Sequence, residues 1–199
     1  MEKALIIVDV QNDFLPGGAL AVSDGRAVIP VANELMRQFE IVIATQDWHP
    51  ANHKSFAANH PGKKPGDRVI IGDIEQILWQ THCVQNTYGA ELASELEKSR
   101  ITKIIQKGTD PEIDSYSAFF DNARKKETGL ADYLKAKNVS DIYVVGLATD
   151  YCVKYTVLDG ISLGFRVYVI ERGCRGVNLH PGDVQKAIED MKKAGAIVI

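Results

Sequence analysis

Six short apolar runs, at residues 4–8, 41–44, 103–106, 142–145, 167–170 and 196–199, constrain this chain's fold more than any other feature. They are rich in Ile and Val and mostly continuous, as strands covered on both faces of a parallel sheet are. Helix patterns lie between them: Val28, Val31 and Leu35 in one, Leu130 and Leu134 in another, Val184, Ile188 and Met191 in the last. Spacings of three, four and seven residues set these side chains on one helical face. The alternation predicts an α/β fold, a doubly wound parallel sheet with helices on both faces and right-handed crossovers. At 199 residues the chain suits a single domain spanning 1–199.

A formal net charge of −3 argues against a general nucleic-acid binder. No apolar run approaches the roughly 20 residues of a membrane-spanning helix. Met1-Glu2-Lys3 leads into a short apolar stretch without the long h-region of a signal peptide. Cys83, Cys152 and Cys174 are an odd and sparse set, so free thiols and a cytoplasmic location are expected.

Residues 46–88 break the alternation. They hold both Trp residues, four of the five His and several Pro and Gly. A connection that long without a clear period is a functional loop or a small inserted subdomain.

In open α/β sheets, ligands bind beyond the carboxyl ends of the strands. The first run ends in Asp9, the second in Thr45-Gln46-Asp47-Trp48-His49, the third in Lys107-Gly108 and the fourth in Gly146-Leu147-Ala148-Thr149-Asp150-Tyr151-Cys152. An acid, an Asp-x-His pair, a lysine and a cysteine therefore share one edge. Cys152 falls where a strand turns into a helix, and a helix N-terminus is expected to lower its pKa and favour the thiolate nucleophile. Burial is expected to raise the pKa of Asp9 toward a general base's range, with Lys107 opposing the shift. Taken singly, Asp9 reads equally as a turn acid and Lys107 as a solvated lysine. Together with Cys152 they make a nucleophile, base and orienter. Cys83 and Cys174 have no such setting and read as structural cysteines.

Asp47 and His49, two apart in extended chain, point to the same side. With His82 from the far end of the insertion they suit a divalent metal, and His53 is a candidate fourth ligand. His60 and His180, each before a proline, read as ordinary loop residues. Phe14 and Trp79 read either as core aromatics or as walls for a flat substrate.

Four segments carry a family resemblance: Asp9-Val10-Gln11-Asn12-Asp13-Phe14, Gln46-Asp47-Trp48-His49-Pro50, His82-Cys83-Val84-Gln85-Asn86 and Gly146 through Val153. In order and type they resemble the nicotinamidase/pyrazinamidase branch of the isochorismatase-like cysteine hydrolases. The resemblance implies a six-stranded parallel sheet with a metal-binding loop insertion at 46–88. It implies Asp9, Lys107 and Cys152 as the triad, and Asp47, His49 and His82 as ligands of one divalent ion, zinc first, with iron or manganese as alternatives. It further implies a cis peptide before Ala148, so that the N–H groups of Ala148 and Cys152 face an oxyanion. Phe14 and Trp79 would sandwich a pyridine ring, with Tyr116 nearby. The expected reaction is hydrolysis of nicotinamide, and of pyrazinamide, through a cysteine thioester, as a step of NAD salvage. Neither nucleic acid nor membrane is an expected partner, and a homo-oligomer is left open. The alternatives are an isochorismatase, carbamoyl-amine or ureide hydrolase of the same superfamily, a hydrolase whose metal activates water, and a non-catalytic binding protein.

Overall fold

The computed structural model describes residues 2–199. The elements run β1 (Glu2–Val8), α1 (Val28–Met36), β2 (Ile41–Asp47), β3 (Arg68–Ile71), β4 (Ile74–Ile77) and β5 (Lys103–Lys107). Then follow α2 (Leu130–Ala136), β6 (Val139–Leu147), α3 (Lys154–Ser162), β7 (Arg166–Arg175), α4 (Asp183–Ala194) and β8 (Ile197–Val198). All six apolar runs enter one sheet, in the order β5-β2-β1-β6-β7-β8, with every neighbouring pair parallel. The chain winds outward from β1 in one direction and from β6 in the other. The reversal between them is the switch point at which such sheets bind ligands.

Alternation along β1 divides the core. Ala4, Ile6 and Val8 pack with Leu130 and Leu134 of α2, Val157 of α3, and Ile188 and Met191 of α4. Leu5 and Ile7 face the other way and meet Val28, Ile29, Ala32, Leu35 and Met36 of α1. Each buried Val, Leu, Ile or Met among these stabilises the fold by about 1.5–3 kcal/mol. Helices therefore cover both faces, as the pattern predicts. The expectation of two-sided cover fails at the sheet's margins, where Ile104 of β5 is 46% exposed and Ile197 of β8 is 40% exposed.

The insertion is more ordered than its composition suggests. Strands β3 and β4 pair antiparallel, with Ile71 opposite Ile74. Gly72 stands at positive φ at the first position of the Gly72-Asp73 turn, as a two-residue hairpin loop requires.

One backbone approach fixes the centre of the sheet. Gly146 of β6 lies opposite Val8 of β1, and a Cβ at 146 would stand 2.1 Å from the Val8 carbonyl oxygen. Only glycine fits there.

Candidate active site

Asp9 follows β1 directly and takes φ +48°, an uncommon conformation for a residue with a side chain. That turn swings its carboxylate across to β2, where the Thr45 hydroxyl donates to Oδ1 at 2.5 Å and the Asp9 N–H donates to Thr45 Oγ1 at 3.0 Å. Lys107 ends β5, two strands away, and its long side chain returns beneath Asp47. Its ammonium lies 2.9 Å from Asp9 Oδ2, donates to Asp47 and to the Ser115 carbonyl, and stands 3.5 Å from Cys152 Sγ. Asp9, Asp47 and Cys152 each offer an atom within 4.8 Å of the others. All three, and the lysine, are buried.

One cation thus serves three anionic or potentially anionic groups. Burial alone would discharge Lys107, but Asp47 and Asp9, with Cys152, reverse that and hold its pKa well above the usual lysine range. Burial would also raise Asp47, yet Lys107 and then His49 keep its carboxyl well below the ordinary value. For Asp9, burial prevails over Lys107, and Asp47 adds to the rise, so its pKa is raised as expected of a base.

Cys152 departs from the sequence expectation. Burial pushes its thiol well above the ordinary range; Lys107 opposes this, while Asp9 and Asp47 add to it. The residue sits in a π-helical turn, Thr149–Val153, leading into α3. A helix terminus contributes only about 0.3–1 kcal/mol, which full burial beside two carboxylates outweighs. The resting group is a thiol whose proton has a carboxylate to go to. The Leu147–Ala148 peptide is cis, and Ala148 and Cys152 line the same cavity.

That cavity brings Asp47, His82, Phe14, Trp79 and Tyr116 together with Cys152. Phe14 and Trp79, both buried, therefore line this cavity. The Trp79 indole N–H donates to the Tyr116 hydroxyl at 3.0 Å, and Gln76 of β4 donates to the same oxygen at 3.2 Å. Sequence reasoning missed Leu20, Asp114, Tyr151 and Val177, which complete the lining. Tyr151, next to Cys152, carried a usable signal; the others come from loops with no period. The cavity is narrow and lined mainly by apolar and aromatic side chains, as suits a flat substrate.

His49 and His82 turn their Nε2 atoms toward Asp47 Oδ2, at 3.5 and 3.7 Å. The second nitrogen of each ring is committed: His49 Nδ1 donates to the Gly108 carbonyl at 2.8 Å and His82 Nδ1 to that of Gln80 at 2.7 Å. Such outer bonds fix the tautomer that presents Nε2 to a metal. Gly108, at φ +63°, leaves room for the His49 ring, which a Cβ would meet at 2.3 Å. His49 Nε2 is buried without a hydrogen-bond partner, an orphan that a cation would satisfy. A carboxylate and two imidazoles are an ordinary donor set for zinc. His53 lies in a second cluster, with His49 and Asp114; its Nδ1 is held by the Ser55 N–H and hydroxyl at 3.1 and 2.7 Å, and its Nε2, like that of His49, is buried without a hydrogen-bond partner. His60 and His180 lie outside both groups, bonded to the Lys54 carbonyl and to Asp183. Cys83 and Cys174 are buried and free, with no place in the cavity.

Among the described residues no helix is long and apolar enough to cross a membrane. The isochorismatase domain family matches residues 3–199. The chain is 50% identical over 198 residues to the nicotinamidase of Escherichia coli strain K12, covering 98% of this chain and 92% of that one. A solved structure described as an Acinetobacter baumanii nicotinamidase and pyrazinamidase superposes with a TM-score of 0.97 at 46% identity, covering 100% of this chain and 95% of the other. The pyrazinamidase of Pyrococcus horikoshii in complex with zinc gives a TM-score of 0.81 at 38% identity, covering 100% and 99%.

Proposed function

The chain belongs to the isochorismatase family, and from that premise we propose that it hydrolyses nicotinamide to nicotinate and ammonia, with pyrazinamide as a second substrate. The observation that carries this reading is the meeting of Cys152, Trp79 and Phe14 with the ligand groups of Asp47 and His82 in one cavity.

In the first step Asp9 takes the Cys152 proton as sulfur attacks the amide carbon. The raised pKa of both groups favours this concerted transfer over a standing thiolate. The N–H groups of Ala148 and Cys152 hold the oxyanion. Collapse breaks the C–N bond, and Asp9 returns the proton to the leaving ammonia, leaving a thioester. Water then attacks the thioester carbon, giving its proton to Asp9. The C–S bond breaks, and that proton restores the thiol. Lys107 keeps its charge throughout, positioning Asp9 and Cys152 about one ammonium.

Asp47, His49 and His82 would hold a divalent ion, zinc being the choice that the Pyrococcus relative supports. Bound there, an ion would supply Lewis acidity toward the ring nitrogen of a substrate. Phe14 and Trp79 flank the ring, and Tyr116 braces Trp79.

The test is ammonia release from nicotinamide, pyrazinamide, benzamide and a carbamoyl amine, with metal analysis of the same sample. Nicotinamide and pyrazinamide should be turned over at comparable rates and benzamide more slowly. Preference for the carbamoyl amine would overturn the assignment in favour of another hydrolase of the family.

A further inference from the structure

We propose that Gln11 and Asp13 are positioning residues that set the separation of the metal ligands Asp47 and His82; this rests on the metal reading of those ligands. Strand β1 pairs with β2 only as far as Ile7 opposite Ala44, then turns away at Asp9. Asp47, at the end of β2, has no β1 partner on that side. The Gln11 side chain takes the place of one. Its Oε1 accepts the Asp47 N–H at 2.8 Å, and its Nε2 donates to the Asp47 carbonyl at 2.8 Å. The same Nε2 donates to the Ala90 carbonyl at 2.8 Å. Gln11 is fully buried, so its amide has no water to turn to and one orientation satisfies it.

Asp13 does the same for the other ligand segment. Its Oδ2 accepts the Cys83 N–H, adjacent to His82, at 2.7 Å, and Oδ1 accepts the Ala19 N–H at 3.2 Å. Gly89 lies against this carboxylate so closely that a Cβ would stand 2.1 Å from Oδ2. Across the gap, the His49 N–H donates to the Cys83 carbonyl at 3.0 Å. One five-residue stretch, Asp9 to Asp13, thus supplies the base and clamps the backbones of two ligand segments. Neither Gln11 nor Asp13 lines the cavity, so their effect on a bound ring passes through the ligands.

The experiment measures zinc dissociation constants of the full chain, stripped by chelation, in competition with a chromophoric chelator. Gln11→Ala and Asp13→Ala should each weaken zinc by tenfold to a hundredfold and raise KM more than they lower kcat. Asp13→Asn, which keeps an oxygen acceptor for Cys83, should recover most of the affinity and keeps the test open if Gln11→Ala does not fold. Asn33→Ala is the control. Asn33 clamps the backbones of Glu95 and Glu97 in the same manner, at 2.8 and 2.9 Å, away from the ligands. It should lower Tm and leave zinc affinity unchanged. Folded Gln11 and Asp13 variants that bind zinc like the wild type, or an Asn33→Ala loss of equal size, would overturn the proposal. A wild-type chain that takes no zinc would instead overturn the metal reading beneath it.

Discussion

Asp9, Lys107 and Cys152 leave the sheet within a residue or a turn of hydrogen-bonded strands, whereas Trp79 and His82 come from the insertion and Phe14 from the loop after β1. The first group is buried, polar and set at strand ends by backbone register. The second is aromatic and also buried, but it is held by loop contacts such as the Trp79 N–H to the Ser55 carbonyl and the Trp79 indole to Tyr116. Chemistry and recognition are thus entrusted to strand ends and to loops respectively. Changes in the strand-borne group should destroy turnover, and changes in the walls should alter choice and affinity.

The largest effect tests the strand-borne side. Cys152→Ala should cost about 10⁴-fold or more in kcat, as loss of a nucleophile does elsewhere, with fold and metal content kept. Mass spectrometry of the wild type with a slow amide should find the acyl group on the Cys152 peptide. An adduct on Cys83 or Cys174 would break the comparison outright.

The thiol's resting state comes next. Because burial raises its pKa well above the ordinary range, the thiolate fraction falls short of unity at neutral pH and grows about tenfold per pH unit below that pKa. Alkylation of Cys152 by iodoacetamide in chelated protein should therefore rise about a hundredfold between pH 7 and 9. A rate already flat at pH 7 would return the cysteine to the helix-terminus account.

On the recognition side, His49→Ala should weaken metal binding by at least about tenfold and raise KM, while chelated protein still alkylates at Cys152. Smaller again is the ring nitrogen's share. Benzamide should lose about 1–3 kcal/mol in kcat/KM relative to nicotinamide, and His49→Ala should erase the difference. Trp79→Ala should weaken both amides alike by about 0.5–1.5 kcal/mol, since stacking does not sense the nitrogen. Unequal losses would show the wall to be part of nitrogen recognition.

The same division governs what could be read from the chain alone. The six strands, and the residues that follow them, were legible because apolar runs and strand ends are local in sequence. Asp47 and His49 could be paired from a period of two. Hairpin β3–β4 was not legible, since each strand has four residues, interspersed with charge, and neither face is wholly apolar. Tyr116 came only with the family resemblance, and Leu20 and Asp114 reach the cavity through loop paths that no periodicity encodes. The sharing of Lys107 between Asp9 and Asp47 depends on burial. So does the raised thiol, which local helix position alone misjudged.

Gly146 carries a consequence for redesign. It has no side chain to trim, so every substitution there can only enlarge it, against the main chain of Val8 one residue before Asp9. Enlargement forces apart the two strands that deliver acid and sulfur, and no compensating cavity exists in backbone to absorb it. Phe14, Leu20 and Trp79 can be exchanged without touching that contact. A search for variants that accept bulkier amides should therefore spend its diversity on the walls and leave position 146 out of the library.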